Sequence, residues 1–432
     1  MIGQLIFAVC FAVALFLFSK NAQQIYRNIK LGRPADRSDR SPERWKMMLL
    51  VAFGQKKMFK RIFPAVLHLF VYLGFVIINI EMLEIVIDGL FGTHRIFSFL
   101  GSFYNFLIGA FEWLALAVLL SCVIFLIRRN IAKVARLNSA ELKHWPKTDA
   151  NIILITEILL MSAFLLMNAS DLKLQLYGFA HFKSVGSFPV SHYLLPYLPT
   201  STEALFLIER SCWWFHILGV LAFLNYLPYS KHLHIILAFP NTYFSNLNAK
   251  GKLSNMPAVT NEVKAMLDPS FTPPPADANA RFGAKDVQDL TWKSLLDAYT
   301  CTECGRCTSS CPANITGKLL SPRKIMMDTR DRLTEVGTNI KTNGSFQDDG
   351  KSLIDTYISR EELWACTSCN ACVEQCPVNI NPLDIIIELR RFAVMEESQA
   401  PASINNMFGN IENNGAPWKY AQLDRANWTQ QQ

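Results

Sequence analysis

Over its first 240 residues the chain alternates long apolar runs with short charged ones, and then its character changes. Five segments, roughly 2–19, 62–88, 105–127, 150–168 and 205–238, are long and nearly uncharged. Each approaches or exceeds the ~20 residues that carry a helix across about 30 Å of hydrocarbon. Five membrane-spanning helices are therefore predicted. Between the first two, Ser41-Pro42-Glu43 has the form of a helix start with proline at the first helical position. The stretch WKMMLLVAFGQKKMFK that follows is expected as an interfacial helix, or one continuous with the second span, and not as a sixth crossing. Residues 241–285, rich in Asn and Pro, read as an extended connector laid over a surface. In 286–398, SPRKIMMDTRDRL predicts a helix behind a Ser-Pro cap. NPLDIIIELRRFAVMEE predicts another, with apolar Leu383, Ile386, Ile387 and Phe392. The tail, 399–432, has no convincing periodicity.

Composition agrees with this division: 51% of 432 residues are hydrophobic and only 18% charged, too apolar for an ordinary soluble protein. The basic residues add an orientation. Residues 20–61 hold twelve Lys and Arg against three acids, and 128–149 hold six, whereas 90–104 has only Arg95 and 169–206 only Lys173 and Lys183. The positive-inside rule then puts the N-terminus outside and everything beyond about residue 239 in the cytoplasm. No positive residue precedes the first span, so it is expected to be retained rather than cleaved as a signal peptide. The net charge of +7 follows from this topology, with a basic rim facing anionic lipid, and gives no support for nucleic-acid binding.

Two runs carry the chemistry. TCTECGRCTSSCPAN and ACTSCNACVEQCPVN each contain Cys-x2-Cys-x2-Cys-x3-Cys-Pro, the spacing with which bacterial ferredoxins hold cubane clusters. In two-cluster ferredoxins the fourth cysteine of each run serves the other cluster. That pattern assigns Cys301, Cys304, Cys307 and Cys376 to one [4Fe-4S] cluster and Cys366, Cys369, Cys372 and Cys311 to a second. Structural zinc, which also uses Cys-x2-Cys steps, is the alternative. The other three cysteines, Cys10, Cys122 and Cys212, lie in apolar spans and read as small core residues.

An electron leaving such clusters needs an acceptor, which makes the histidines of the spans informative. His68, His216, His232 and His234 lie in or at the end of a span, while His94, His144, His181 and His192 fall in loops and read as surface residues. His216 and His234 are eighteen residues apart, five helical turns or ~27 Å along one face if the helix continues through Pro228. On that helix His232 points elsewhere, about 160° from His216. His68 lies in the cytoplasmic half of the second span, and its natural partner is His234, with His232 as the alternative. Two such imidazoles make a bis-histidine heme b site. Two acids in spans also stand out, Glu112 toward the outside and Glu157 toward the cytoplasm. Glu157, near the depth of His68, is the candidate for delivering protons to quinone; a structural carboxylate is the other reading.

Taken with their helices, the cysteine runs resemble the dicluster subunit of heterodisulfide reductases and, more distantly, the iron–sulfur subunits of succinate dehydrogenase and fumarate reductase. Five spans with histidines on the second and fifth are similar to the gamma subunit of respiratory nitrate reductases and to related membrane subunits of heterodisulfide and sulfite reductase complexes. That family has two hemes and a histidine pair on its second helix. Here the second span has only His68, so His216 lacks an imidazole partner for an outer heme; Met82 is a thioether candidate, read more simply as core.

The resemblance implies an all-α membrane domain of five transmembrane helices (1–240), a linker (241–285), and a cytoplasmic, mostly α-helical two-[4Fe-4S] ferredoxin-like domain (286–398). A partner-docking tail (399–432) completes it. It further implies an electron-transfer subunit in the cytoplasmic membrane of a prokaryote, passing electrons between a cytoplasmic catalytic partner and quinone through the clusters and heme b. The reverse direction, quinol oxidation feeding a reductase, and a zinc-bearing membrane scaffold are the alternatives. No Gly-x-Gly-x-x-Gly, Walker loop or Cys-Cys pair is present. The organic-substrate site is accordingly expected on a separate chain docked on 403–428, for which the resemblance implies a Cys-Cys-Gly domain.

Overall fold

The computed structural model describes residues 1–179, 182, 184–275 and 281–430; His181 lies outside them. The described residues form helices without strands. Five are long and apolar enough to cross a membrane: α1 (Ile2–Ile29), α3 (Ile62–Phe91), α4 (Ser102–Asn130), α5 (Trp145–Leu176) and α6, which begins at Thr202 and ends at Tyr226. Their outward faces are rich in bare side chains such as Phe16, Phe75, Trp113 and Leu159. So much exposed apolar surface is untenable in water and costs nothing in lipid. Inside, small residues let helices approach: a Cβ on Gly219 of α6 would stand 2.7 Å from Leu160 of α5.

For this half, one open alternative is decided and one expectation is revised. The segment from Ser41 is an element of its own, α2 (Ser41–Met48) and a wide turn over Leu49–Phe53, separated from α3 by a break at 54–57. The fifth span does not continue through Pro228. After Tyr226 come two short turns, Leu227–Tyr229 and Lys231–Leu233, and then α7 (His234–Tyr243). Pro228 has no N–H to give a helix, and Ser230 is extended (φ −119°, ψ 149°). Asp149, near the start of α5, holds the break, accepting from Tyr226 Oη (2.6 Å), Ser230 Oγ (2.6 Å) and the Lys231 N–H (3.2 Å). His216 and His234 therefore do not share one helix face.

The connector contains a helix, α8 (Pro257–Leu267), and is not wholly extended. The cysteine module follows as α9 (Trp292–Thr300), α10 (Pro312–Ile315), α11 (Pro322–Asn343), α12 (Arg360–Ala365), α13 (Ala371–Gln375) and α14 (Pro382–Met395). The predicted cap is present, Ser321 Oγ accepting from the Lys324 N–H, and the structure adds a second, Asn381 Oδ1 accepting from the N–H groups of Leu383 and Asp384. The tail also folds, as α15 (Ala402–Asn414), although its sequence shows no clear period; it leaves Phe408, Ile411, Trp418, Leu423 and Trp428 exposed.

One hydrophobic core joins the halves. Ile25 and Ile29 of α1 with Leu227 and Leu233 pack among Leu295, Leu333, Leu363 and Ile386 of the module. Polar bonds surround that seam. Asn28 Nδ2 donates to Tyr299 Oη (2.8 Å), Arg61 to Ser309 (2.7 Å), Arg136 to the Cys304 carbonyl (2.6 Å), and Arg323 to Glu141 (2.6 Å). The basic residues of 20–61 and 128–149 thus do more than face lipid: several of them dock the cysteine module onto that end of the bundle. At the α1–α11 contact a Cβ on Gly337 would collide with the Asn28 amide. Gly337→Val should loosen this seam by about 1–3 kcal/mol, seen as earlier thermal unfolding and faster proteolysis between 240 and 290 in detergent; unchanged behaviour would show that the contact is not needed.

Candidate functional site: the cysteine wraps and the histidines beneath them

The two cysteine runs fold alike. In the first, Glu303 (φ 55°) and Gly305 (φ 70°) are left-handed; in the second, Ser368 (φ 57°) and Asn370 (φ 59°) occupy the same places. Gly and Asn tolerate this conformation best, and the paired reversals curl each Cys-x2-Cys-x2-Cys round a common centre. N–H groups point at sulfur: Ser368 N at Cys366 Sγ (3.4 Å) and Ile380 N at Cys376 Sγ (3.3 Å).

The fold then crosses the runs. α13 lies against the turn Thr308–Ser310 of the first run, so that Cys376 acts electrostatically on Cys307 and feels Cys304. Cys311 in turn acts on Cys366 and Cys372, beside Cys369. These neighbours are compatible with the crossed pairing expected from the spacing, in which the fourth cysteine of each run joins the other run's three. Burial pushes the Cys301 thiol up to about 12 and Cys376 up to about 11. Buried thiolates need compensating positive charge, which bound iron supplies. Cys301 and Cys376 are buried whereas Cys369 is exposed, so the second group lies nearer solvent.

Glu303, within the first wrap, makes a buried contact that spacing alone does not reveal. Its buried carboxylate is paired with Lys231 and with Arg330 of α11 (2.9 Å). Burial would raise it, yet these two cations hold it below the usual carboxylate range. Lys231 also donates to the Pro146 carbonyl (2.6 Å) and immediately precedes His232. The only sequence signals were an acid inside a cysteine run and a lysine at the end of a span.

Beneath the first wrap lie three histidines. The ring centres of His68 and His234 are 6.5 Å apart, and those of His232 and His234 5.6 Å. His232 thus joins the group instead of pointing away, because the chain bends at Pro228. His234 Nδ1 is 3.1 Å from the Lys231 carbonyl, while His68 Nδ1 is buried without a hydrogen-bond partner among the described residues. Imidazoles about 2 Å from one metal ion on opposite sides have ring centres a little over ~6 Å apart, close to the His68–His234 spacing. The loop that precedes α3 reaches both runs: Arg306 of the first donates to the carbonyls of Lys57 (3.2 Å) and Met58 (3.0 Å), and Lys57 donates to Asn379 beside the second (2.9 Å).

His216 stands apart. Its Nδ1 lies 3.0 Å from the Leu160 carbonyl and its ring packs on Phe164. Met82 packs beside Phe7, Ile217 and Leu221, as a core residue does. Glu112 is a structural carboxylate, accepting from Asn168 Nδ2 and from the N–H groups of Val190 and Ser191. Glu157 lies on α5, in the half nearer the cysteines. His94 is no surface residue: its side chain is 12% exposed, and its Nε2 lies 3.9 Å from Asp171.

Comparison with known proteins agrees with this construction. Residues 300–380 match the 4Fe-4S dicluster domain family. The cysteine module is a dicluster iron–sulfur domain. The chain is 31% identical to the probable iron-sulfur-binding oxidoreductase FadF of Bacillus subtilis, over 98% of this chain and 60% of that protein. It is 26% identical to the EtfAB:quinone oxidoreductase of Syntrophomonas wolfei, over 91% of this chain and 54% of the relative. The dicluster domain alone is 35% identical to one subunit of the ferredoxin:CoB-CoM heterodisulfide reductase of Methanosarcina mazei, over 24% of this chain and 52% of that relative. The chain thus spans little more than half the length of the curated relatives it matches, and joins a heterodisulfide-reductase-like dicluster domain to five apolar helices. No solved structure is significantly similar to it.

The crossed arrangement makes a specific prediction. Cys376→Ser should perturb the EPR signal of the cluster held by Cys301, Cys304 and Cys307 and leave the second signal intact; selective loss of the second signal would refute the crossing.

Proposed function

We propose that this chain carries single electrons between a cytoplasmic catalytic partner and membrane quinone, through two [4Fe-4S] clusters and a heme b bound by His68 and His234. The observation that carries this reading is the placement of the His68–His234 pair directly under the loop that holds the first cysteine wrap. Heme b between those imidazoles would supply one-electron exchange at the depth where quinone resides. Each residue around it has a task. The Lys231 carbonyl orients His234 through its Nδ1, leaving the other nitrogen for ligation. His68, with Nδ1 unpaired and buried, lacks a partner that a ligand would provide. Glu303, Lys231 and Arg330 fix the first wrap above them.

The second cluster, with Cys369 exposed, is the side on which a soluble redox partner would exchange electrons, and the exposed tail, 403–428, is the surface we assign to its docking. A relative named EtfAB:quinone oxidoreductase supports quinone as the membrane substrate. The basic loops at the cluster end favour a cytoplasmic placement of the dicluster domain. Quinone reduction takes up two protons as well as two electrons, and Glu157 is our candidate to deliver them from the cluster side.

The purified protein, reduced with dithionite, should contain about eight cluster irons and show the sharp optical band of a reduced b heme. His68→Ala should lose that band and quinone reduction while keeping both cluster signals. Glu157→Gln should keep every spectrum and slow quinone turnover at least tenfold. Clusters without any heme band in the unaltered protein would refute the reading.

A further inference from the structure

The end of the bundle remote from the clusters holds a feature that electron transfer does not use. α1, α3, α5 and α6 enclose there a cavity of about 210 Å³, enough for several waters at ~30 Å³ each. Its rim is formed by the exposed Gly3, Gly92 and Thr93. Its floor is acidic and buried: Glu81 and Glu84 of α3, Asp171 of α5 and Glu209 of α6.

Each floor acid but one has a defined partner. Glu84 accepts from Tyr104 Oη (2.9 Å) and the Phe97 N–H (2.8 Å). Asp171 is bound by Arg95 (2.6 Å) and by Gln175 (3.0 Å), and Glu209 is paired with Arg210. Asp88, at the rim, accepts from Thr93 and from the N–H groups of Arg95 and Ile96. Glu81 is the exception. It is 3% exposed and lines the cavity, and its Oε2 is buried with no hydrogen-bond partner among the described residues.

The charges that face it decide its state. On α3 these are Glu84 and Asp88; on α4, Glu112, with the Tyr104 hydroxyl; on α5, Asp171; on α6, Glu209 and Arg210; in the loop after α3, His94 and Arg95; α1 contributes the uncharged Gln4. The two arginines are engaged by Asp171 and Glu209. An anion here shares Arg95 with Asp171 and lies among other carboxylates, whereas a protonated carboxyl can share the cavity water, so the group is placed to exchange its proton with that water.

We propose that Glu81 is a proton-exchanging carboxyl, open through this cavity to the membrane face opposite the clusters. Its carboxylate accepts a proton from cavity water as hydronium, forming the O–H bond and leaving water, and returns it by the reverse step. Along α3 it stands thirteen residues from His68, ~20 Å. The bundle therefore has a titratable carboxyl in each half, Glu157 toward the clusters and Glu81 away from them. This assignment does not depend on heme or quinone.

Infrared spectroscopy of the full-length protein tests it. A protonated-carboxyl stretching band should titrate with pH, shift in deuterium oxide, vanish in Glu81→Gln and survive in Glu84→Gln. In proteoliposomes with the dicluster domain facing out, the band of the unaltered protein should follow the internal pH and ignore the external. A band that persists unchanged in Glu81→Gln, or that follows the pH on the cluster side, overturns the proposal. The second measurement needs no variant and so remains decisive if the substitution unfolds the protein.

Discussion

The buried ion pair between Lys231 and Glu303 ties the two halves of this protein together. Glu303 sits inside the first cysteine wrap, and Lys231 sits at the bend that turns the chain from the fifth span into α7. Arg330 completes the carboxylate's partners from α11, and Asp149 lies 3.8 Å from the lysine at the base of α5. Removing one member of such a set leaves an uncompensated buried charge, typically costing about 3–5 kcal/mol. The placement of His232 and His234, the closure of the first wrap and the seating of the dicluster domain all pass through these few atoms.

Much of the architecture was legible in the chain itself. Apolar length gives the spans, cysteine spacing gives the clusters, and Ser321 announces the helix behind it, because each is a local property of a few consecutive residues. The bend at Pro228 was harder: the stretch around it is as apolar as a span, and what breaks the helix is Asp149, eighty residues away, taking up the freed donors. That one interaction moves His232 from the far side of a helix into the group around His234.

Other features were hidden for the same reason. Glu81 and Glu84 lie in a segment so apolar that its pattern reads as continuous span, and their meaning depends on Arg95, Tyr104 and Asp171 from three other segments. The basic loops look sufficient as topology signals, yet Arg61, Arg136 and Lys57 reach partners between 168 and 322 positions away. Position in sequence told only that these charges lie between spans; the fold tells what they hold.

The central claim is that the histidine pair connects the clusters to the lipid. The most direct measurement mixes dithionite-reduced protein in nanodiscs rapidly with a short-chain quinone and follows cluster reoxidation in the unaltered protein and in His234→Ala. The account predicts fast reoxidation in the former and clusters that stay reduced over the same interval in the latter. Equally fast reoxidation in both would mean that electrons reach quinone without the histidines.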